Sequence, residues 1–386
     1  MRRRKRHLRL PAQLAIAAAG ICAACLPVRA CFPNLPERPS SLDQPGVRVG
    51  NEWLDKAPLY EDSRLGSVSQ IKKRTPSGEL AIVGTQAAVF LPPRQGEPRV
   101  VAFRMPAGHA ELLEWPDGGP RYLDRGGGGW QTGALIGEDG SRLWQPPSEW
   151  GMDDLAAGDL DGDGVPEFVA GYNGGGGVRL FDATGKSRWR QDDGNVWHVE
   201  IVDTDGDGKP EIVHSNAAGQ VSVRDANGKL LRRVQAEDYF SEFSLVEWPR
   251  QRTGLVHTRD GLTSVLDFDG TVRASLQTPD TGSLSDAHGA IARFGGADHL
   301  VLAVSASTWD RTQLFVFDEG AVLRYWEVVP GNCVAVAAPE PNAFLFGCGS
   351  RVLRYSGRPS GSTETGSGGQ QPTLQLVDRA RTPQGK

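Results

Sequence analysis

The chain consists largely of short segments in which apolar and polar residues alternate, as in residues 178–181, 221–224 and 314–317. Alternation at period two is typical of β-strands that bury one face. Clusters of Gly, Asp, Asn and Pro separate these segments at intervals of about ten residues, the spacing of turns in all-β proteins. Beyond residue 50, no long segment has the 3.6-residue period of an amphipathic helix. The pattern therefore predicts an all-β chain.

A unit of about 40–45 residues repeats along the chain. Its clearest copies, at 178–189 and 221–232, contain a strand, an Asp-x-x-Gly-Lys turn and a second strand. Four strands at this period predict a β-propeller blade, and closure of a ring of blades hides the sheet edges. Two β-sandwiches would not explain a repeat that continues through the chain; six or eight blades remain alternatives to seven. The predicted units are 67–105, 108–148, 152–192, 196–236, 242–280, 287–329 and 332–378.

Two nine-residue loops, 159–167 and 203–211, each contain four carboxylates. Carboxylates this close together repel one another unless a cation lies among them. Oxygen ligands suit Ca²⁺, which takes about 6–8 of them at roughly 2.3–2.6 Å. Gly164 and Gly208, at loop position six, allow the positive φ of a sharp turn. An EF-hand does not fit, because it places its acidic residue at position twelve between two helices, whereas here it stands at position nine before a strand.

The loop sequence Asp-x-Asp-Gly-Asp-Gly-x-Pro-Glu, followed by Phe-Val-Ala-Gly or Ile-Val-His-Ser, resembles the FG-GAP/VCBS repeat of integrin α-subunit propellers and secreted bacterial proteins. The other five units match only in strand and turn pattern, and the Phe-Gly and Gly-Ala-Pro tokens of integrins are missing, which favours the bacterial branch. The resemblance implies that each loop joins the first two strands of a blade and binds a mainly structural Ca²⁺. The implied ligands of the two Ca²⁺ sites are Asp159, Asp161, Asp163, Glu167 and the Val165 carbonyl, and Asp203, Asp205, Asp207, Glu211 and the Lys209 carbonyl.

A second set of polar residues lies five positions before each acidic loop or its equivalent in other units. In a propeller this position opens the innermost strand, beside the central channel. Imidazoles and carboxylates there are suited to holding a transition metal or a polar ligand, and we hypothesise a ring at the channel mouth. The alternative is that channel-lining positions are polar in any propeller. The five residues are His109, Asp154, His198, Glu242 and His288.

The two ends of the chain differ from the repeats. Residues 1–30 combine a basic start, an apolar stretch and Val-Arg-Ala, as in a signal peptide, and predict export to the periplasm, the outer membrane or the exterior. Cys31 then stands where a lipoprotein is acylated, although Arg29 departs from that pattern, and membrane contact is expected only through such an anchor. We further expect a Pro-rich tether at 31–50, the propeller at 51–378 with a low-complexity insert at 357–372, another strand at 373–378, and a disordered tail at 379–386.

The net charge bears on nucleic-acid binding, and the cysteine positions bear on a disulfide. The predicted signal peptide, residues 1–30, contains seven of the 42 basic residues and none of the 47 acidic ones. The rest of the chain therefore has a net charge of −12, which argues against nucleic-acid binding.

A four-residue turn at 339–342 would pair Ala338 with Ala343, and hence place Cys333 opposite Cys348. We predict a cross-strand disulfide there, with two buried thiols as the alternative.

The sequence contains no Gly-x-Ser-x-Gly elbow, phosphate loop or His-Glu-x-x-His motif. The favoured hypothesis is an exported, Ca²⁺-stabilised propeller that binds or scaffolds a protein or glycan ligand. The alternative is a carbohydrate-active lyase or hydrolase, or an enzyme similar to the quinoprotein propellers, that uses the channel mouth. Such propellers share the Phe-Asp-x-x-Gly-Lys-x-x-Trp pattern of residues 181–189.

Overall fold

The computed structural model describes residues 48–49, 53–126, 133–234, 243–248, 253–259, 262–277, 284–306 and 311–358 of the 386. Within these ranges the chain forms 29 strands in seven antiparallel sheets. First strands of neighbouring sheets contact one another, as β-propeller blades do around a central channel. The all-β prediction and the seven-bladed propeller are confirmed.

The first half of the ring starts after β1 (Arg48–Val49), β2 (Leu54–Glu61) and a 3-10 turn (Ser63–Leu65). Blade 1 contains β3 (Val68–Lys73), β4 (Leu80–Gly84), β5 (Ala87–Leu91) and β6 (Arg99–Ala102). Blade 2 contains β7 (Ala110–Glu114), β8 (Pro120–Asp124), β9 (Ala134–Ile136) and β10 (Arg142–Trp144). Blade 3 contains β11 (Met152–Gly158), β12 (Glu167–Tyr172), β13 (Gly177–Phe181) and β14 (Ser187–Gln191).

The second half of the ring contains blades 4 to 7, again in chain order. Blade 4 contains β15 (Val196–Val202), β16 (Glu211–Asn216), β17 (Val221–Arg224) and β18 (Leu230–Arg233). Blade 5 contains β19 (Ser244–Glu247), β20 (Thr253–Arg259), β21 (Leu262–Leu266) and β22 (Val272–Gln277). Blade 6 contains β23 (Leu284–Phe294), β24 (Ala297–Ala306), β25 (Arg311–Phe317) and β26 (Leu323–Pro330). Blade 7 contains β27 (Ala335–Ala337), β28 (Ala343–Cys348) and β29 (Arg351–Gly357), completed by β2.

The hydrophobic core is divided into seven clusters, each between two neighbouring blades. Successive side chains of a strand point to opposite faces of the sheet, so a middle strand contributes to two clusters. In β12, for example, Phe168 and Ala170 pack towards blade 2, whereas Val169 packs towards blade 4. The last cluster joins Val68 of blade 1 to Leu345 of blade 7 and closes the ring.

The outer strand of blade 7 comes from the N-terminal side of the propeller. β2 pairs antiparallel with β29, so the blade is complete without residues 373–378. The predicted strand at 373–378 lies outside the described residues, as do residues 1–47. Pro58 is tolerated in β2 because an outermost strand needs hydrogen bonds on one side only. β1, within the predicted tether, adds a fifth strand to blade 6.

The predicted disulfide between Cys333 and Cys348 is present, with a Cα–Cα distance of 4.5 Å. The predicted strand register is wrong by one residue, because Ala337 pairs with Leu345 and Ala338 lies in the turn. Asn342 ends this turn in the left-handed conformation (φ 60°), and its N–H donates to the Arg293 carbonyl of blade 6. Contacts with a neighbouring blade therefore set the turn, and local sequence does not reveal them.

A buried polar cluster lies at the seam between blades 6 and 7. Glu327 of β26 is fully buried, and its Oε1 lies 2.6 Å from Lys56 Nζ of β2. Its Oε2 accepts hydrogen bonds from the hydroxyls of Tyr325 (2.6 Å) and Tyr355 (2.8 Å). Because a buried charge is costly unless it is paired, this cluster favours one placement of β2.

Replacing Glu327 with Ala should therefore destabilise the propeller. The change leaves the Lys56 ammonium buried without its carboxylate, which typically costs about 3–5 kcal/mol. Urea denaturation followed by far-UV circular dichroism measures this loss. The control is Glu340→Ala, which removes the exposed pair of Glu340 with Arg354 and should cost no more than about 1 kcal/mol. Equal losses in the two variants would contradict a stabilising role for the seam.

Candidate functional site

The two acidic loops join the first and second strands of blades 3 and 4, as the resemblance implied. In the first loop, Asp159 accepts the N–H groups of Gly162 (2.7 Å) and Gly164 (2.9 Å). Both glycines have positive φ, 79° and 86°, a conformation that side-chain-bearing residues rarely adopt. The second loop repeats this arrangement with Asp203, Gly206 and Gly208.

Three of the four acids in each loop converge. Their carboxylate oxygens lie within 4.8 Å of one another, in the sets Asp159, Asp161, Glu167 and Asp203, Asp205, Glu211. Burial, followed by repulsion from neighbouring aspartates, raises the pKa of Glu167, although its carboxylate accepts the Leu160 N–H. A cation among these oxygens would relieve the repulsion, and an all-oxygen donor set fits Ca²⁺.

The fourth acid of each loop plays a different part. Asp163 accepts the N–H of Val165 at 2.7 Å, and Asp207 accepts that of Lys209 at 2.8 Å. These bonds shape the turn, and neither acid belongs to the converging sets. Ligation by Asp163 and Asp207, and by the carbonyls of Val165 and Lys209, stays a prediction.

Four of the five predicted channel-mouth residues occupy equivalent positions, three of them on inner strands and His109 directly before one. His109 precedes β7, and its carbonyl accepts the N–H of Arg125 at 2.8 Å. The other three pair with the matching residues of their second strands, in the pairs Asp154–Gly171, His198–Ser215 and His288–Ala303. Glu242 lies outside the described residues. Gln70 holds this position in blade 1, paired with Val83, and sequence analysis did not include it.

The centre of this region is Arg125, which sequence analysis did not identify. Its Nε and Nη2 donate to Asp154 at 3.0 and 2.8 Å. Its Nη1 donates to Glu111 (3.2 Å) and Glu200 (2.9 Å). The only available signal was that Glu111 and Glu200 follow His109 and His198 by two residues, and so lie on the same strand face. We call Arg125, Asp154, His198, Glu111 and Glu200 the mouth network.

Electrostatics fix the charges of the mouth network. Burial opposes ionisation of Asp154, but the charges of Arg125 and His198 outweigh it and hold the Asp154 pKa well below its usual range. Burial would lower the pKa of His198, but Asp154 at 2.7 Å and Glu200 at 3.3 Å raise it to about 10. Burial likewise opposes ionisation of Glu111, yet Arg125 lowers its pKa to about 2. The cations of the network are therefore paired with its own carboxylates at neutral pH.

The rest of the channel mouth contains the rings of His109 and His288, which stack with centroids 6.5 Å apart. Among the described residues, the only groups of three or more His, Cys, Asp or Glu spaced for one metal ion are those of the two acidic loops. The mouth network links blades 2, 3 and 4, and a ligand role for the predicted ring stays a prediction.

The two candidate regions lie at opposite ends of the inner strands. Asp154 is the third residue of β11, whereas Asp159 directly follows its end. Five residues of extended strand span about 17 Å. The channel mouth therefore opens on one face of the ring, which we call the mouth face, and the acidic loops lie on the other.

The pH dependence of stability should report the charge of His198. A folded-state pKa of about 10, against an ordinary value near 6.5, means that His198 stabilises fully below pH 6.5 and progressively less as the pH rises through 10. The stability difference between wild type and His198→Gln, on the order of a few kcal/mol at pH 6, should thus shrink by pH 10.5. Urea denaturation at both pH values measures it. A difference that stays constant would show that His198 is not a buried cation.

Comparisons with known proteins agree with this geometry. The sequence profile described as FG-GAP-like repeat matches residues 159–214, which contain both acidic loops. A chain in the crystal structure of BBS1N in complex with ARL6DN is similar in fold, with 13% identity, a TM-score of 0.52, and coverage of 80% of this chain and 98% of that one. The streptogramin B lyase structure gives 8% identity, a TM-score of 0.55, and coverage of 79% and 98%. A search of curated proteins found no match.

These findings confirm an FG-GAP repeat in a seven-bladed β-propeller. At such low identities, the two structures support the fold alone. In the part of the chain that the structure describes, no helix has the length and apolar character needed to cross a membrane.

Proposed function

We propose that the protein is an exported β-propeller, stabilised by Ca²⁺, that acts as a binding or scaffold module for a protein or glycan ligand at the cell surface or in the periplasm. The observation that carries the binding role is the composition of the mouth face. Trp150 (41% exposed), Met105 (58%) and Leu262 (43%) lie in loops or at a strand start on this face, contributed by different blades. The mouth face therefore combines exposed apolar side chains with the charged mouth network, as the surfaces of interaction sites commonly do.

Trp150 has the geometry of a contact residue. The glycine-rich turn 173–177 lies beside its indole, and the N–H of Asn173 donates to the Gly151 carbonyl. Arg190 lies 5.8 Å from the ring centroid. An aromatic ring held by its surroundings loses little entropy when a ligand covers it, and aromatic residues are enriched at interfaces for this reason.

The charges of the mouth network favour binding over catalysis. A general base or acid works best when its pKa lies near the working pH. The pKa of His198 is about 10, and the pKa values of Asp154 and Glu111 are strongly lowered. These groups support a fixed, preformed surface. The alternative of an enzyme acting at the channel mouth would gain support only if a substrate were turned over and His198→Ala abolished that turnover.

The role proposed for Ca²⁺ is structural. An ion in each loop would neutralise part of four clustered carboxylates at the margin of a blade, on the face opposite the channel mouth. Bound only by the folded state, it stabilises that state by mass action. A chain of similar fold occurs in the crystal structure of BBS1N in complex with ARL6DN, which is compatible with the proposed binding role.

Chelation should lower the melting temperature of the protein. At free Ca²⁺ of 100 Kd, each occupied site adds about 2.7 kcal/mol. Asp205→Ala should remove at least half of the shift between excess Ca²⁺ and excess chelator, measured by differential scanning calorimetry. Asp117→Ala, which alters an acidic turn of blade 2, is the control and should retain the full shift. Identical melting with chelator and with Ca²⁺ would overturn the calcium assignment.

Ligand binding should depend on Trp150. We expect Trp150→Ala to weaken binding by about 30-fold or more, the effect of losing an aromatic hot spot of about 2 kcal/mol. A glycan array and surface plasmon resonance against purified cell-envelope proteins provide the measurement. Leu231→Ala, which removes an exposed apolar side chain from the outer rim, should leave binding unchanged. Equal binding by both variants would place the ligand site elsewhere.

A further inference from the structure

An arginine from the outer strand of blade 3 reaches into the first acidic loop. Arg188 of β14 donates from Nη1 to Asp161 Oδ2 at 3.0 Å. Its Nη2 lies 3.2 Å from Glu167 Oε1. Asp161 and Glu167 are two of the three acids whose oxygens converge in this loop. The guanidinium therefore spans carboxylates that a calcium ion would share.

The second loop is built differently. Arg232 of β18 lies 4.0 Å from Asp205 Oδ2, and it donates to the hydroxyl of Thr204 at 3.1 Å. That hydroxyl in turn donates to Glu211 Oε2 at 2.6 Å. Thr204 therefore stands between the arginine and the glutamate of this converging set.

Strand register explains the difference between the loops. Ser187 pairs with Phe181 in blade 3, and Leu230 pairs with Arg224 in blade 4. The residue of blade 4 that is equivalent to Arg188 is thus Leu231, which carries no charge. The first loop has its own cation in place, whereas the second has an apolar side chain there.

We propose that Arg188 sets the calcium affinity of the first loop and makes it the weaker of the two sites. Ca²⁺ and the guanidinium compete for the same oxygens, and a positive charge that remains nearby repels the ion. The second loop then fills first, and binding at the first requires Arg188 to leave Asp161 and Glu167. This inference rests on the calcium role proposed above.

Two single-site proteins separate the affinities. Asp203→Asn with Asp205→Asn leaves only the first loop, and Asp159→Asn with Asp161→Asn leaves only the second. Isothermal titration calorimetry of each protein with CaCl₂, after chelator treatment and dialysis, gives the dissociation constants. We expect the second loop to bind at least about fivefold more tightly, a factor of the size expected for an exposed charge close to the ion.

Variants of Arg188 test the cause. In the first-loop protein, Arg188→Gln should tighten Ca²⁺ binding at least about fivefold, whereas Arg188→Lys, which keeps the charge, should recover less than half of that gain. Arg190→Gln is the matched control, because Arg190 lies on the same strand but pairs with Asp192. Its affinity should stay within twofold of the parent, and circular dichroism verifies that every variant is folded.

The outcomes separate this inference from the proposed function. Calcium binding at both loops with equal affinity, or a first-loop affinity that Arg188→Gln leaves within twofold, overturns the role of Arg188 and leaves the calcium assignment standing. An equal gain from Arg190→Gln also overturns it, because net charge would then explain the effect. No binding at either loop of the unmodified protein overturns both.

Discussion

Apolar packing between neighbouring blades is the interaction on which the rest of this structure depends. Each blade is a sheet whose middle strands are buried on both faces, as the fully buried β12 and β16 show. A single blade cannot bury its two apolar faces by itself, and only stacking against neighbours removes them from water. Every blade therefore needs two neighbours, and only a closed ring gives each blade both. The meeting of Val68 with Leu345 is for this reason as important as any contact within a blade.

Closure also explains why polar groups are buried at the seam. The ring is joined by β2, which enters blade 7 from the far end of the chain and lies on the outer side of β29. Only Leu54 of β2 is buried, so apolar packing by itself specifies the register of this strand weakly. The ion pair of Glu327 with Lys56 and its hydrogen bonds with Tyr325 and Tyr355 specify the register more strongly. A shifted β2 would leave a charge buried and unpaired.

Features that depend on residues close together in the chain can be predicted from the sequence. Period-two alternation and Gly-containing turns give the seven units, and the acidic loops provide the alignment that places His109, Asp154, His198 and His288 at equivalent positions. Features that depend on contacts between distant segments are not predictable in this way. The sequence of residues 54–61 does not indicate which sheet this strand joins. The turn before Ala343 depends on a hydrogen bond to a carbonyl of blade 6. Arg125 likewise follows β8 in a segment that reads as an ordinary turn, and only the fold brings three carboxylates around it.

The acidic loops and the channel mouth are too far apart to form one binding site. An ion bound at Asp159 would lie about 17 Å of strand away from Asp154, too far to coordinate a ligand at the mouth. The two regions nonetheless share β11 and β15, whose far ends are tied together where Asp154 accepts the N–H of Val199 at 3.0 Å. Calcium at one end and the Arg125 ion pairs at the other would therefore hold the same two inner strands. Both would then add to the rigidity of the mouth face, and a preformed surface would lose less entropy on binding the proposed partner.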